Sequence, residues 1–280
     1  MKGGDSSLEF YGMHFSYAGQ SSRDVAGGFY IGAIDEPRLT AISGSAEVVS
    51  IFNRRTQSRY YVDKNWDDSP LEFSMEIIAD EEIPLTVSNR RAAEKWLFHR
   101  DGFKKLYIDM DDDCDAEMYE TIDGEVIRTY LNCIFVNPEK IESDNGIIGF
   151  KVDVICDAPN AWQDPITKTF TPTSGQPFTL TIDSDLYEYV YPKVSISMGS
   201  GGGDLQIVNH SDSDSRITSF SNLIMSATFV MDGKTNYITG GNYVLFQNRN
   251  FVRLLDGDNR ITVTGDVESI TFEWQNRRYL

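Results

Sequence analysis

The sequence has few of the residues that usually carry catalysis, cross-linking or metal binding. Its 280 residues include three cysteines and three histidines. Cys114, Cys133 and Cys156 are odd in number and widely spaced, so they form no CxxC pair, no zinc-ligand spacing and no disulfide framework. Cys133 and Cys156 fall in strand-like apolar runs and are expected to be small core residues. We therefore expect a protein that folds in a reducing cytoplasm, without a cofactor or a structural metal.

Long apolar runs are also missing. None approaches the roughly 18 residues that a helix needs to span a bilayer. The first residues, Met1-Lys2-Gly3-Gly4-Asp5, lack the apolar segment of a secretory signal. We expect neither membrane insertion nor a signal peptide.

No catalytic arrangement can be recognised. His14, His99 and His210 do not lie in a nucleophile elbow or another known catalytic motif. Carboxylates are so plentiful that a glycosidase pair would not stand out, and a cell-wall hydrolase is the weakest of three hypotheses. The segment 199–204 has no Lys and no following helix, which predicts a hairpin or flexible turn rather than a phosphate-binding loop. The sequence predicts that the protein is not an enzyme.

Acidic residues outnumber basic ones by 43 to 25, a net charge of -18. Residues 1–165 hold 31 acidic and 16 basic residues (-15), and residues 166–280 hold 12 and 9 (-3). An acidic surface repels phosphate backbones, so specific nucleic-acid binding is not expected. Two interpretations stay open: the charge serves solubility alone, or it marks a functional acidic surface in the first half.

The first half, up to about residue 160, has the pattern of strands with one buried face. Residues 71–77 and 148–156 alternate between apolar and polar side chains, and 103–110 and 126–136 are rich in β-formers. One helix is predicted near 89–100, capped by Ser88 or Asn89 and ended by Asp101-Gly102. Its periodic residues are Ala92, Ala93, Trp96, Leu97 and Arg100.

A Pro-rich linker is predicted over 161–177, because four of the nine prolines fall between residues 157 and 177 and proline cannot donate to a sheet ladder. Short apolar runs separated by Gly turns follow, which predicts a β-sandwich over 178–280. The expected strands are 178–182, 189–198, 205–208, 227–231, 243–246, 251–255, 260–264 and 270–274. The fold class is mainly β: an α+β first domain over 1–160 and a second, all-β domain.

Two candidate binding features have competing interpretations. In the acidic run 109–120, Asp109, Asp111, Asp113 and Glu120 match EF-hand positions, but Cys114 replaces the required glycine and the flanks are strands. An acidic loop between strands is favoured over a cation site. In the second half, Trp274 and several tyrosines could stack on a sugar ring, although strand aromatics are more often core residues.

Several segments resemble the distal tail protein (Dit) family of long-tailed, non-contractile bacteriophages. The opening run 8–19 is similar to the family's first strand, and Trp96-Leu97 to the end of its single helix. Residues 150–162 resemble the last strand of its ring domain and the exit after it. Near the C-terminus, the run 256–265 resembles the Gly-x-Asn-x-Ile turn of its galectin-like domain, and the run 270–274 with Tyr279-Leu280 fits the closing strand.

This resemblance implies a structural virion protein at the distal end of the tail. Six copies would form a ring through domain 1–160, the belt domain, and the galectin-like domain 178–280 would lie outside it. The ring would join the tail tube protein above to the tail-tip or hub protein below, and would offer attachment to receptor-binding or side-fibre proteins. Its central channel would pass the tape measure and then DNA, after assembly in the host cytoplasm. The alternative is a carbohydrate-binding adhesin module at the tail tip.

A channel that passes DNA should carry negative charge, because repulsion between like charges keeps DNA from binding to the wall. Salt screens this repulsion beyond a distance of about 8–10 Å. Asp111, Asp112 and Asp113 are the predicted channel-facing residues. The competing interpretation is that this loop points outward or meets a basic patch on a neighbouring tail protein.

Overall fold

The computed structural model describes residues 12–25, 27–34, 46–53, 58–66, 69–79, 84–108, 119–122, 124–186, 188–213, 216–240 and 242–279. The chain divides into two compact units, Met1–Trp162 with Tyr279–Leu280, and Gln163–Arg278. Strands dominate and one α-helix occurs in the described ranges, which confirms the mainly β fold class. Within those ranges no helix is long and apolar enough to cross a membrane.

The first unit is built on one large antiparallel sheet with the strand order β2-β1-β7-β9-β10-β6-β3. Strand β8 forms a hairpin with the start of β9, and β4 and β5 form a two-stranded sheet of their own. The strands up to the unit boundary are β1 (Phe15–Tyr17), β2 (Gln20–Ser21), β3 (Phe29–Ile34), β4 (Ala46–Asn53), β5 (Ser58–Trp66), β6 (Glu72–Ala79), β7 (Lys104–Ile108), β8 (Tyr119–Ile122), β9 (Glu125–Ser143), β10 (Gly146–Cys156) and β11 (Ala161–Gln163).

The two ends of this sheet meet. The amide of Gly12 donates to the carbonyl of Ile31 on β3, and the amide of Ile31 donates to the carbonyl of Met13, each over 2.8 Å. The residues just before β1 therefore pair with the far edge strand, and the sheet curves into a nearly closed barrel. Alternate residues point into its core, for example Phe15 and Tyr17 of β1. This closure removes most of the free strand edges of the sheet.

Helix α1 (Val87–Leu97) packs one face, with Ala93, Trp96 and Leu97, against the core of the barrel. It begins earlier than the sequence predicted, because Thr86 is the N-cap and its hydroxyl accepts from the amide of Asn89 over 3.1 Å. It ends at Leu97 rather than at residue 100. Trp96 and Leu97 are buried as expected, with Ala93, whereas Ala92 is exposed. The burial follows from the contacts of Trp96, which stacks on Phe15 with ring centroids 5.4 Å apart.

The second unit is a sandwich of two antiparallel sheets, consistent with a galectin-like arrangement. One sheet has the order β12-β20-β14-β17-β18 and the other β13-β19-β15-β16. Rings from the two sheets meet in the core: Phe170 of β12 stacks on Phe178 of β13 at 4.3 Å. The strands are β12 (Ile166–Phe170), β13 (Pro177–Ile182), β14 (Lys193–Met198), β15 (Gly203–Asn209), β16 (Ile217–Leu223), β17 (Thr228–Asp232), β18 (Tyr237–Ile238), β19 (Gly257–Thr264), β20 (Val267–Trp274) and β21 (Arg277–Arg278).

Several sequence-based expectations for this half are wrong. Residues 243–246 lie mostly in a one-turn 3-10 helix (Asn242–Leu245), and 251–255 make one isolated bridge, from Leu254 to Val190. The segment 161–177 is not excluded from the sheets, since β12 lies within it and pairs with β20. Its prolines flank the strand instead of interrupting it. Of the two alternatives for the Gly-rich segment 199–204, the hairpin is wrong, because residues 199–202 form a turn that connects β14 to β15 in the opposite sheet.

The Gly-x-Asn-x-Ile turn has a clear structural role. Asn259 is fully buried. Its Oδ1 accepts from the amide of Leu255 over 2.8 Å, and its Nδ2 donates to the carbonyls of Leu255 and Gly257. The side-chain amide therefore holds the loop before β19 in place, with every polar atom satisfied.

Candidate assembly surfaces

The outer face of the first unit's sheet carries alternating cations and aromatic rings on β7 and β9. The Nζ of Lys105 lies 4.0 Å from the ring centroid of Tyr130 and donates to the hydroxyl of Tyr107 over 3.0 Å. The guanidinium of Arg128 lies 4.3 Å from the centroid of Tyr107. We call these four residues the cation–aromatic ladder; Tyr130 is buried, and the other three are partly exposed. Tyr and Arg are enriched in protein interfaces, and cation–π contacts hold them in fixed positions.

A polar group on the same face lies between β6, β9 and β10. Asp153 accepts hydrogen bonds from Asn137 Nδ2 over 2.9 Å and from Ser74 Oγ over 2.8 Å. These two hydrogen bonds lower the pKa of the Asp153 carboxyl. The carboxylate is thus held charged and in one orientation, which makes it a defined acidic contact point on the sheet.

Strands β4 and β5 form a long ribbon that pairs with itself, from Ala46 opposite Trp66 to Asn53 opposite Ser58. Among the described residues, neither strand joins another sheet. An isolated two-stranded ribbon is at best marginally stable in water, and a strand edge that pairs with no neighbour can pair with another chain. The ribbon is therefore a candidate contact element for a second chain.

The predicted channel residues Asp111, Asp112 and Asp113 lie outside the described residues. The strands on either side of them, β7 and β8, both pair with the first part of β9. Of the possible EF-hand ligands, Asp109, Asp111 and Asp113 fall in the same gap, and Glu120 lies on β8. Elsewhere in the described chain, no group of three or more His, Cys, Asp or Glu is placed to hold a metal ion.

The three histidines lie apart from one another and have structural contacts. His14 Nδ1 lies 2.9 Å from the carbonyl oxygen of Phe29 and His210 Nε2 lies 2.9 Å from Thr262 Oγ1. His99 stacks on Tyr17, with centroids 5.3 Å apart, and its Nδ1 lies 2.8 Å from Asp101 Oδ1. His14 also contacts a hydroxyl, since Ser22 Oγ lies 3.4 Å from its Nδ1. Each of these contacts positions a loop or strand end.

Trp274 is buried, not exposed. Its side chain points into the sandwich core, and its Nε1 donates to Asn276 Oδ1 over 3.0 Å. The interpretation of Trp274 as a sugar-stacking platform is therefore wrong. Tyr237 remains well exposed on the edge strand β18.

Cys133 and Cys156 are free thiols in the core, as expected. They lie directly opposite each other on β9 and β10. Burial raises the pKa of both thiols, that of Cys156 to about 12. They are packing residues with little thiolate character.

Comparison with known proteins gives the same two-part division. A family model described as the N-terminal domain of a phage tail protein matches residues 10–158, and one described as the phage tail C-terminal domain matches residues 160–274. The chain belongs to this family of phage tail proteins. It is thus a component of a phage tail. No protein of curated function matches it by sequence.

The fold of this tail protein is similar to that of solved tail structures. The Dit protein (gp 19.1) of phage SPP1, described as a paradigm of the hub adsorption apparatus of phages that infect Gram-positive bacteria, superposes with a TM-score of 0.62 at 11% identity. The match covers 94% of this chain and 98% of that one. A chain of the phage P2 baseplate, in its activated conformation with Ca, gives a TM-score of 0.50 at 9% identity over 94% and 98%. The resemblance to distal tail proteins is confirmed at the level of the fold.

Proposed function

We propose that this phage tail protein is a non-catalytic hub at the distal end of the tail, where six copies form a ring through the first unit. The observation that carries the proposal is the match of two phage tail domain families, in order, over residues 10–158 and 160–274. The whole-length likeness to a protein described as part of a hub adsorption apparatus supports it. The ring joins the tail tube to tail-tip and host-recognition proteins, and assembles in the host cytoplasm.

The first unit has the features that ring formation needs. Its main sheet is closed by backbone hydrogen bonds, so little of that sheet is left to pair with another chain. The ribbon β4–β5 and the cation–aromatic ladder remain as contact elements. A ring requires two different surfaces that meet head to tail and close after a fixed rotation. The ribbon of one copy against the cation–aromatic ladder of the next provides such a heterologous pair.

The oligomeric state tests this proposal directly. Six copies of a 31.7 kDa chain give a ring of about 190 kDa. Light scattering after size-exclusion chromatography measures this mass, and electron microscopy of intact tails shows where the ring lies. A chain in which a short Gly-Ser linker replaces residues 46–66 should stay monomeric and keep the second unit's unfolding transition. A stable monomer in solution that is also absent from tails would contradict the hub. A hexamer found only in tails agrees with it, because ring closure then requires the tail tube.

The second part of the proposal is that Asp111, Asp112 and Asp113 face the channel. The net charge of -15 on residues 1–165 supports it, because DNA must slide through without binding. Replacing all three by Asn should leave the ring intact and slow DNA ejection at low salt, with the difference shrinking as salt screens the charge. A ring structure with these carboxylates on the outer rim, or paired with a neighbour's Lys or Arg, would overturn the channel assignment and leave the hub standing.

A further inference from the structure

The second unit contains a cleft of about 330 Å³ whose lining is cationic. Three basic side chains line it, with two aromatic rings and one amide: Arg216, Lys234, Arg249, Tyr191, Phe251 and Asn236. They come from the segment before β14, the loop before β16, the turn between β17 and β18, and the segment after the 3-10 helix. All of them belong to the second unit, so the cleft is complete within it.

The charge of this lining is opposite to that of the chain. Residues 166–280 hold nine basic and twelve acidic residues. Three of the nine bases line this one cleft, and its described lining contains no Asp or Glu. A concave site that gathers one sign of charge concentrates counter-ions of the other sign.

The backbone around Arg249 is held in an uncommon conformation. Its φ is 55°, in the left-handed region that non-glycine residues seldom occupy. The neighbouring Asn248 and Asn250 side chains both donate to the carbonyl of Ile217, and Thr218 Oγ1 donates to the carbonyl of Asn250 over 2.6 Å. The residues on both sides of Arg249 are therefore fastened to the start of β16. Strain of this kind persists where the surrounding structure fixes a functional side chain.

The other two cations are positioned as firmly. Arg216 Nη2 donates to Asn250 Oδ1 over 3.2 Å, so the same segment orients it. The carboxylate of Asp232 accepts from the backbone amide of Lys234 over 2.9 Å, which shapes the tight turn. Lys234 Nζ donates to Gln275 Oε1 over 2.9 Å. Burial, and then the charge of Arg277, lower the pKa of Lys234, and the carboxylates of Asp232 and Glu273 offset part of this shift.

We propose that this cleft binds a phosphate group carried on a sugar or polyol. Guanidinium groups match the geometry of phosphate oxygens with two parallel hydrogen bonds, and an ammonium adds a point charge. The volume exceeds that of a bare phosphate and lies at the lower end of small-ligand sites. Tyr191, about one-third exposed, and Asn236 supply the apolar surface and the hydrogen-bonding group that a sugar or polyol needs. This binding activity is separate from ring formation.

The test is calorimetric titration of the full-length protein with four probes: glucose 1-phosphate, glycerol 1-phosphate, inorganic phosphate and glucose. We expect the two organic phosphates to bind more tightly than inorganic phosphate, and glucose not to bind. Lys234→Gln and Arg249→Gln should each weaken the organic phosphates about tenfold, as expected for a charge-assisted hydrogen bond. Lys168→Gln makes the same charge change at an exposed position on β12 and should leave their affinity unchanged.

Three results would overturn the proposal. The first is that neither organic phosphate binds at millimolar concentration. The second is that Lys168→Gln weakens the binding of the organic phosphates as much as Lys234→Gln and Arg249→Gln do. The third is that inorganic phosphate binds as tightly as the organic phosphates. The melting temperature of each variant shows whether it folds. Should Arg249→Gln fail to fold, Lys234→Gln decides the question, and ³¹P line broadening of glucose 1-phosphate by the native protein supplies an independent readout. Broadening that vanishes in Lys234→Gln supports the site, and broadening that persists there refutes it.

Discussion

The indole of Trp96 links helix α1 to the barrel by a hydrogen bond and by ring packing, and its replacement gives a quantitative test of the fold. The side chain is 8% exposed and stacks on Phe15, and its Nε1 donates to the carbonyl of Tyr17 over 2.9 Å. Trp96→Phe removes that hydrogen bond, worth about 1 kcal/mol, and part of the ring packing, worth about 1 kcal/mol more. We expect a loss of ~2 kcal/mol in the free energy of unfolding.

The measurement is urea unfolding followed by circular dichroism, with each unit's transition fitted separately because a two-unit chain need not unfold in one step. A loss of ~2 kcal/mol corresponds to a melting temperature roughly 4–8 °C lower for a unit of this size. Trp162→Phe is the matched control: Trp162 is half-buried, and its Nε1 donates to Asp157 Oδ1 over 3.3 Å. The control should lose less than about 1 kcal/mol. Equal losses in the two variants, or a shift confined to the second unit's transition, would refute this account of the barrel core.

Three further predictions concern close packing, a buried ion pair and pH. Gly149→Ala should destabilise the first unit by about 1–3 kcal/mol, measured by thermal unfolding, because its Cβ would lie 2.3 Å from the carbonyl oxygen of Ile77. Asp212→Asn should lower the free energy of unfolding by about 3–5 kcal/mol, because it leaves the nearly buried Arg253 without its bidentate carboxylate. Replacing both residues by Leu should lower it less. A double variant as unstable as the single variant would contradict this prediction. In the folded protein the pKa of the Cys156 thiol is about 12, above its ordinary 9.0. Its contribution to the free energy of unfolding is therefore present below pH 9 and is lost as the pH rises toward 12. Urea titrations at pH 8 and 10 should show this loss of stability, and Cys156→Ala should reduce the difference between the two pH values.

The sequence located those elements whose pattern depends on near neighbours along the chain. The alternation before Cys156 identified β10, because side chains of a strand point to opposite faces with a period of two. The apolar spacing around Trp96 and Leu97 identified α1, but not its start. Thr86 caps the helix, a choice that depends on the backbone conformation at that residue rather than on the apolar period.

Short apolar runs at the margin of the sandwich were interpreted less well. Residues 243–246 and 251–255 have the composition of strands. The first run instead forms most of a 3-10 turn and one bridge, from Phe246 to Phe220 of β16, and the second forms one bridge, from Leu254 to Val190. Propensity is a weak prior in such segments, because tertiary packing determines whether a strand partner is in reach. Pro177 shows the opposite case, a residue predicted to lie in a linker that is part of a strand. It begins the edge strand β13, where a missing backbone donor is tolerated.

The sequence by itself determined the mainly β character, the single described helix, the acidic first half and the resemblance to phage tail proteins, because composition, period and local motifs are properties of consecutive residues. Only the tertiary structure decided which face of a strand is buried, and it placed Trp274 inside the sandwich. Only the structure gathered Arg216, Lys234 and Arg249 around one cleft. These three bases are separated by 15 or more residues, and their convergence depends on how two sheets and their connecting loops pack, which no local pattern records.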